Sequence, residues 1–246
     1  MAKREHSNGW VWFAALFFYP LTRLLARRVN RGVENIPATG GALLVMNHIS
    51  HIDPMYDAVF VHKLRRVPRF LAKNTLWKSR VVRQVMTRTG QIPVYRASSD
   101  AQDSLRDANT ALREGKLVII YPEGTITRDP DGWPMLSRTG VARLALDNDV
   151  PVIPAARWGT LAILDFYQKK FRPLPRGVVT TSVGEPVDLA AYRGKPVTPE
   201  ALREVTALVM RQVTGLLGET RGETPPVEPF RPGAARRHQQ DTASGS

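Results

Sequence analysis

The chain has no cysteine. This excludes disulfides, thiolate metal sites and a cysteine nucleophile, and it suits a reducing compartment. The chain also lacks any apolar run long enough to cross a bilayer. Residues 10–19 form an uninterrupted apolar stretch of ten residues before Pro20. As a helix it would reach about 15 Å, against a hydrocarbon core of about 30 Å. No small-residue cleavage site follows it, so a secretory signal is not indicated. Between positions 62 and 96 there is no acidic residue, although ten basic ones fall there. No internal repeat interrupts the sequence.

What is present is length for one sizeable core: 246 residues, by default a single domain. The formal charge of +13 points to anionic partners: nucleic acid, anionic lipid or phosphorylated substrates. Arginine supplies 27 of the 35 basic residues, and its planar fork suits phosphate oxygens better than lysine does. All but one unit of the excess lies in the first 96 residues.

Taken in order, residues 10–25 are mainly apolar and aromatic, and the run before Pro20 is followed by Arg23, Arg27 and Arg28. Three readings stay open: a helix packed on the core, one lying in a membrane interface, and one inserted part-way. The aromatics and flanking arginines favour the interface. Residues 31–41 read as a connection. The apolar run 42–46 reads as a buried strand, and Pro54 suits the first turn of a helix reaching residue 64. A short strand at 69–72 ends at Lys73. The pattern predicts a helix over 77–87, an extended segment over 90–96 and a helix ending near Glu114. Residues 117–121 form a continuous apolar run, as expected of a central strand. A polar loop spans 126–138. A helix at 140–146, strands at 152–156 and 178–183 and a helix over 199–217 complete the pattern. From Glu219 the composition turns to Pro, Gly, Gln and Ser, and a disordered tail over 219–246 is expected. The expected organisation is therefore an N-terminal interface helix and basic flank (1–32), an α/β domain (33–218) and the tail. The domain class is α/β, with a mixed, mainly parallel sheet flanked by helices.

The chemistry-bearing residues fall just after strands, where α/β sheets place their sites. Asn47-His48-Ile49-Ser50-His51-Ile52-Asp53 follows the first strand. On an ideal helix His48 and Asp53 would lie about 140° apart, so they meet only in a turn or at a helix start. There a carboxylate can hold one imidazole nitrogen and leave the other free as a base. No serine nucleophile is obvious beside them, so the simplest chemistry is direct activation of a substrate hydroxyl. A lone His-x4-Asp is ordinarily no more than a strand end and a helix start. Lys73 and Arg96 close two further strands, and Glu123-Gly124-Thr125 follows another. Glycine at 124 permits close backbone approach, and Thr125 offers a hydroxyl and an amide.

Together these segments resemble the glycerolipid acyltransferase family, and within it the 1-acylglycerol-3-phosphate acyltransferases. Asn47-His48-x-Ser50-x-x-Asp53 is similar to that family's first motif, and Gly90-x-Ile92-x-Val94-x-Arg96 to its second. Tyr121-Pro122-Glu123-Gly124-Thr125 is similar to its third, where phenylalanine is more usual than tyrosine. Val150-Pro151-Val152-Ile153-Pro154 is similar to its fourth. The resemblance covers roughly residues 30–215. Family members often carry arginine directly after Glu-Gly-Thr. Here that position is Ile126, and Arg128, two residues on, is the nearest base.

The resemblance implies that His48 is the general base and that Asp53 orients it. The acceptor is a lysophospholipid hydroxyl, the sn-2 hydroxyl of 1-acylglycerol 3-phosphate (lysophosphatidic acid), and the product is phosphatidic acid. The co-substrate is acyl-CoA or acyl-carrier protein, with no further cofactor and no metal. Arg96, Glu123 and Gly124 would shape the glycerol-phosphate site, with Glu123 holding an arginine or a glycerol hydroxyl. Backbone amides near Gly124 and Thr125 would stabilise the oxyanion. Lys73 and Arg128 are added as phosphate candidates on charge and placement. The expected location is the cytoplasmic face of the cell membrane, peripheral or monotopic, on an anionic lipid surface.

Another acceptor, such as glycerol 3-phosphate, a different lysophospholipid or a glycolipid, fits the same motifs. A basic binding protein without catalysis is the competing class. No nucleic-acid motif accompanies the charge, so a nucleic-acid partner is not expected.

Overall fold

Asn8 begins the first helix by accepting the Trp10 and Val11 N–H groups on its side-chain oxygen, at 3.1 and 3.0 Å. The computed structural model describes residue 5, residues 7–95 and residues 100–232. Along them run α1 (Gly9–Leu25), β1 (Ala26–Arg31), β2 (Ala42–Met46), α2 (Asp53–Lys63), β3 (Arg69–Lys73), α3 (Arg80–Arg88), β4 (Ile92–Val94), α4 (Asp100–Arg113) and β5 (Leu117–Ile120). They are followed by α5 (Gly140–Asp147), β6 (Val152–Trp158), α6 (Thr160–Ile163), β7 (Leu164–Asp165), β8 (Lys170–Phe171), β9 (Gly177–Val183) and α7 (Pro199–Arg221).

Seven strands form one sheet in the order β1-β9-β6-β2-β5-β3-β4. Every neighbouring pair is parallel except β6 with β9. The continuous apolar runs of β2 and β5 follow from burial on both faces. Leu43, Val45, Val118 and Ile120 face one side, against Leu112 of α4, Leu144 of α5 and Val205 and Val209 of α7. Leu44, Met46, Leu117 and Ile119 face the other, with Phe60 and Val61 of α2. The chain is thus a single α/β domain with a mixed, mostly parallel sheet flanked by helices.

Four boundaries differ from those read in the sequence. Residues 26–31, expected in the N-terminal flank, are an edge strand of the sheet paired with β9. Alternation there is masked by arginines at three of the six positions. The helix expected over 77–87 is divided at Ser79 into a 3-10 segment (Asn74–Lys78) and α3. At the C-terminus α7 continues to Arg221, beyond the expected start of a disordered tail, and ends on Gly222 in the left-handed conformation (φ +70°). The Leu136 N–H then donates to the Phe230 carbonyl at 2.9 Å, so the chain is tied back to the body at Phe230. Finally, the short β7–β8 hairpin has no counterpart in the sequence reading. Residues 233–246 of the expected tail lie outside the described residues.

α1 buries Val11, Ala15, Thr22 and Leu25. Its opposite face leaves Trp12, Phe13, Leu16, Phe17, Leu21 and Leu24 exposed, Leu16 to 68% and Leu24 to 72%. Among the described residues no helix is long and apolar enough to cross a membrane.

Candidate active site

The strand β2 ends at Met46, and Asn47 pins that end to β6. Its side chain donates to the Arg157 carbonyl at 3.0 Å and accepts the Arg157 N–H at 2.7 Å. The chain then folds back on Asp53, the first residue of α2, where helix N-terminal dipoles favour a carboxylate. Asp53 Oδ2 accepts the Ile49 N–H at 2.7 Å, the Ser50 N–H at 2.8 Å and His48 Nδ1 at 3.0 Å. Its Oδ1 accepts the Thr160 hydroxyl at 2.5 Å. Burial alone would raise the Asp53 pKa. The hydrogen bond and charge of His48, with the Thr160 and Ser50 bonds, outweigh it and hold the carboxyl below its ordinary value. An ionised Asp53 is acceptor-only, so Nδ1 carries the proton and Nε2 presents its lone pair. The His48 side chain is 12% exposed, enough for Nε2 to meet a substrate.

Two further contacts fix the imidazole and its backbone. Tyr121 stacks on the ring with centroids 4.4 Å apart and planes 16° from parallel. Its hydroxyl donates to Asp57 Oδ2 at 2.5 Å, and Asp57 is ion-paired with Arg157, both buried. Burial and the charges of Asp57 and Asp53 hold the phenol far above its ordinary pKa, so it stays a donor. The backbone of His48 is gripped from both sides by the loop after β5. Glu123 Oε1 accepts the His48 N–H at 2.9 Å, and the Thr127 N–H donates to the His48 carbonyl at 2.7 Å.

Both oxygens of Glu123 accept main-chain N–H groups. It is 4% exposed, and its second oxygen accepts the Met135 N–H at 3.0 Å. Burial raises its pKa to about 8, against the opposing effect of the two amides. Gly124 takes the positive φ its loop requires, +71°. Its N–H donates to the Tyr121 carbonyl at 2.9 Å. Thr125 stands next to it on the wall of a cavity.

That cavity, about 650 Å3, runs between α1, α2, β3 and α3 and reaches His48. Its lining is largely apolar, with Ala14, Ala15 and Phe18 from α1, Met55 and Ala58 from α2 and Leu71 from β3. Lys73 sits on its wall with an exposed side chain. His48, Asp53, Glu123, Gly124 and Thr125 are thus brought together, with Lys73 along the same cavity. Arg128 is exposed and is not part of the lining. Arg96 lies outside the described residues. Among the described residues no group of three or more His, Asp or Glu side chains is placed to hold a metal ion.

Sequence reasoning passed over Asp57, Arg157, Thr160 and His62. Asp57 carried a signal: an acid one helical turn after Asp53, between the buried Tyr56 and Val59. His62 lines the cavity and meets the Tyr19 hydroxyl at 3.0 Å. Trp133 is buried in its loop under the Arg221 guanidinium, at 4.1 Å.

Residues 27–158, more than half of the chain, match the model of the family described as Acyltransferase. Among curated proteins, the chain is 30% identical over 130 residues to a 1-acyl-sn-glycerol-3-phosphate acyltransferase of Borreliella burgdorferi, covering 52% of this chain and 50% of the relative. It is 24% identical over 183 residues to the protein of that name from Bacillus subtilis, covering 74% and 84%. In the first relatives it matches, the chain spans half of the length or less. Among solved structures, the 1-acyl-sn-glycerophosphate (LPA) acyltransferase PlsC from Thermotoga maritima superposes with a TM-score of 0.67 at 27% identity, over 88% of this chain and 81% of that one.

Proposed function

The chain belongs to the Acyltransferase family, and on that premise we propose that it moves a fatty acyl group from an acyl thioester to the sn-2 hydroxyl of 1-acyl-sn-glycerol 3-phosphate, giving phosphatidic acid. The observation that carries this reading is the His48–Asp53 pair opening onto a long apolar cavity. His48 Nε2 takes the proton of the glycerol hydroxyl, and the oxygen attacks the thioester carbonyl carbon. The tetrahedral intermediate collapses with cleavage of the carbon–sulfur bond, and the departing thiolate takes the proton back from the imidazolium. Asp53, held ionised, steadies that imidazolium. The Thr125 amide is the candidate donor to the oxyanion, since Gly124 is already engaged.

The cavity would hold the acyl chain, and Lys73 on its wall suits the phosphate of the acceptor. Arg96 and Arg128 are further phosphate candidates by motif and charge. The donor is acyl-CoA or acyl-carrier protein. The exposed apolar face of α1 and the acid-free block at 62–96 support attachment to an anionic membrane surface, at about 1 kcal/mol per well-placed base. Because acyl thioesters are cytosolic, the enzyme would sit on the cytoplasmic face as a peripheral or monotopic protein. Periplasmic labelling of a surface cysteine engineered into the body would overturn that placement.

The test is acyl transfer from palmitoyl-CoA and oleoyl-CoA to lysophosphatidic acid by the purified protein, beside His48→Ala. Phosphatidic acid and free CoA from the wild type, and neither from the variant, is the expected result. Wild-type inactivity with this acceptor, but turnover with glycerol 3-phosphate or another lysolipid, would reassign the acceptor. Inactivity with every acceptor would leave a non-catalytic membrane-binding protein.

A further inference from the structure

The β7–β8 hairpin lies just beyond the residues that match the family model, and nothing in the acyl-transfer chemistry uses it. Its two strands share only the pairs Leu164–Phe171 and Asp165–Lys170, and so short a ribbon is marginal on its own. It is tied to the active-site loops instead. The Ser50 hydroxyl donates to the Leu164 carbonyl at 2.7 Å, Phe166 meets the edge of His51 at 4.6 Å, and the Tyr167 hydroxyl donates to the Ile126 carbonyl at 3.3 Å. His51 and Ile126 both line the cavity.

The side chains it presents to solvent are unusual for a surface loop. Phe166, Tyr167, Phe171 and Leu174 are between 51% and 76% exposed. Lys169, Lys170, Arg172 and Arg176 lie among them, all exposed. Among the described residues none of these four bases is in an ion pair. The one acid of the segment, Asp165, accepts the Gln168 N–H at 3.0 Å within the turn. Exposed aromatics interleaved with unpaired bases are the composition of a bilayer interface. The foot of the hairpin, Ile163, shares a buried cluster with Leu25 at the end of α1. The exposed apolar faces of α1 and of the hairpin therefore flank one cavity.

We propose that residues 164–176 are a second contact with an anionic lipid surface, independent of α1, that seats the bilayer against the His51 side of the cavity. This rests on the membrane-surface part of the function proposed above. An acidic carrier protein would be drawn by the same bases, but Phe171 and Leu174, exposed beside them, favour a lipid surface over a soluble acidic partner.

The test is co-sedimentation of the purified full chain with vesicles of phosphatidylcholine alone and of phosphatidylcholine mixed with phosphatidylglycerol. Three proteins are compared: wild type, Lys169→Gln/Lys170→Gln/Arg172→Gln, and Phe171→Ser/Leu174→Ser. The charge variant should lose affinity for the mixed vesicles by about fivefold per base removed and change little on phosphatidylcholine. The apolar variant should weaken binding to both. Turnover of a monomeric short-chain acceptor should stay at the wild-type level in each, while turnover of vesicle-borne acceptor falls. Unchanged vesicle binding by both variants would overturn the proposal. If Leu16→Ser/Leu24→Ser in α1 still lowered binding, the membrane reading would survive that result. Vesicle binding unchanged but transfer from a carrier-protein donor impaired would also overturn it, and assign the hairpin to the donor. Failure of the wild type to bind any vesicle would overturn both readings.

Discussion

Glu123 accepts the main-chain N–H of His48 across 75 residues of sequence, at 2.9 Å. The carboxyl group after β5 therefore positions His48, after β2, through its backbone, while Asp53 positions the ring.

This gives a pH signature. The Glu123 pKa in the fold is about 8, above its ordinary 4.5, so its neutral form is the one the fold favours. Its contribution to stability is full below about 4.5 and is lost as the pH rises through about 8. Denaturant titrations across that range should show declining stability in the wild type and a flatter profile in Glu123→Gln. The glutamine leaves one of two amide donors without an acceptor, at about 1–3 kcal/mol, and displacement of His48 should lower kcat.

His48→Ala should lower kcat/KM by about 10²–10⁴, with some loss of stability because the buried Asp53 loses one of its four bonds. Thiol release from acyl-CoA reports the first quantity and a thermal melt the second.

Asp53→Asn should cost as much activity as His48→Ala, and the double variant little more, because the two groups act as one unit. It should destabilise more than His48→Ala, since an amide cannot accept all four bonds that Asp53 takes. The Asp53 pKa is depressed from 3.8, so its stabilisation is present above that value and is lost as the pH falls through the lower folded value. Acid unfolding of the wild type below about pH 4, with a weaker acid dependence in Asp53→Asn, checks this.

Asp57→Asn strips the buried Arg157 of its charge partner and Tyr121 of its carboxylate acceptor. A loss of about 3–5 kcal/mol is expected for breaking such a pair, read as a lower urea midpoint. Asp57→Leu combined with Arg157→Met should recover part of it, because neither charge is then left alone.

Ala58→Phe should fill part of the cavity wall and shorten the preferred acyl chain. Each methylene denied burial costs about 0.8 kcal/mol, or about fourfold in kcat/KM. A series of acyl-CoA donors of increasing length reads the change in slope.

The sheet was legible because β2 and β5 are buried on both faces, which leaves an unbroken apolar run. The His48–Asp53 pair was legible because its spacing fits a turn and not a helix face. β1 was hidden by its arginines, and β7 and β8 by being only two residues each. The role of Glu123 was out of reach, since its partners are main-chain amides that carry no side-chain signal. Asp57 and Arg157 lie 100 residues apart, so their pairing depends on the sheet order.

β2 and β5 run side by side in parallel, with Val45 opposite Ile120. Their exits are therefore level, and the His48 and Glu123 loops can meet. One residue inserted into either strand would advance its exit by about 3.3 Å and turn its side chains over. These two strands can thus exchange one apolar side chain for another more easily than they can change length. A single-residue deletion within β5 should disable the enzyme more thoroughly than several substitutions of comparable volume along it.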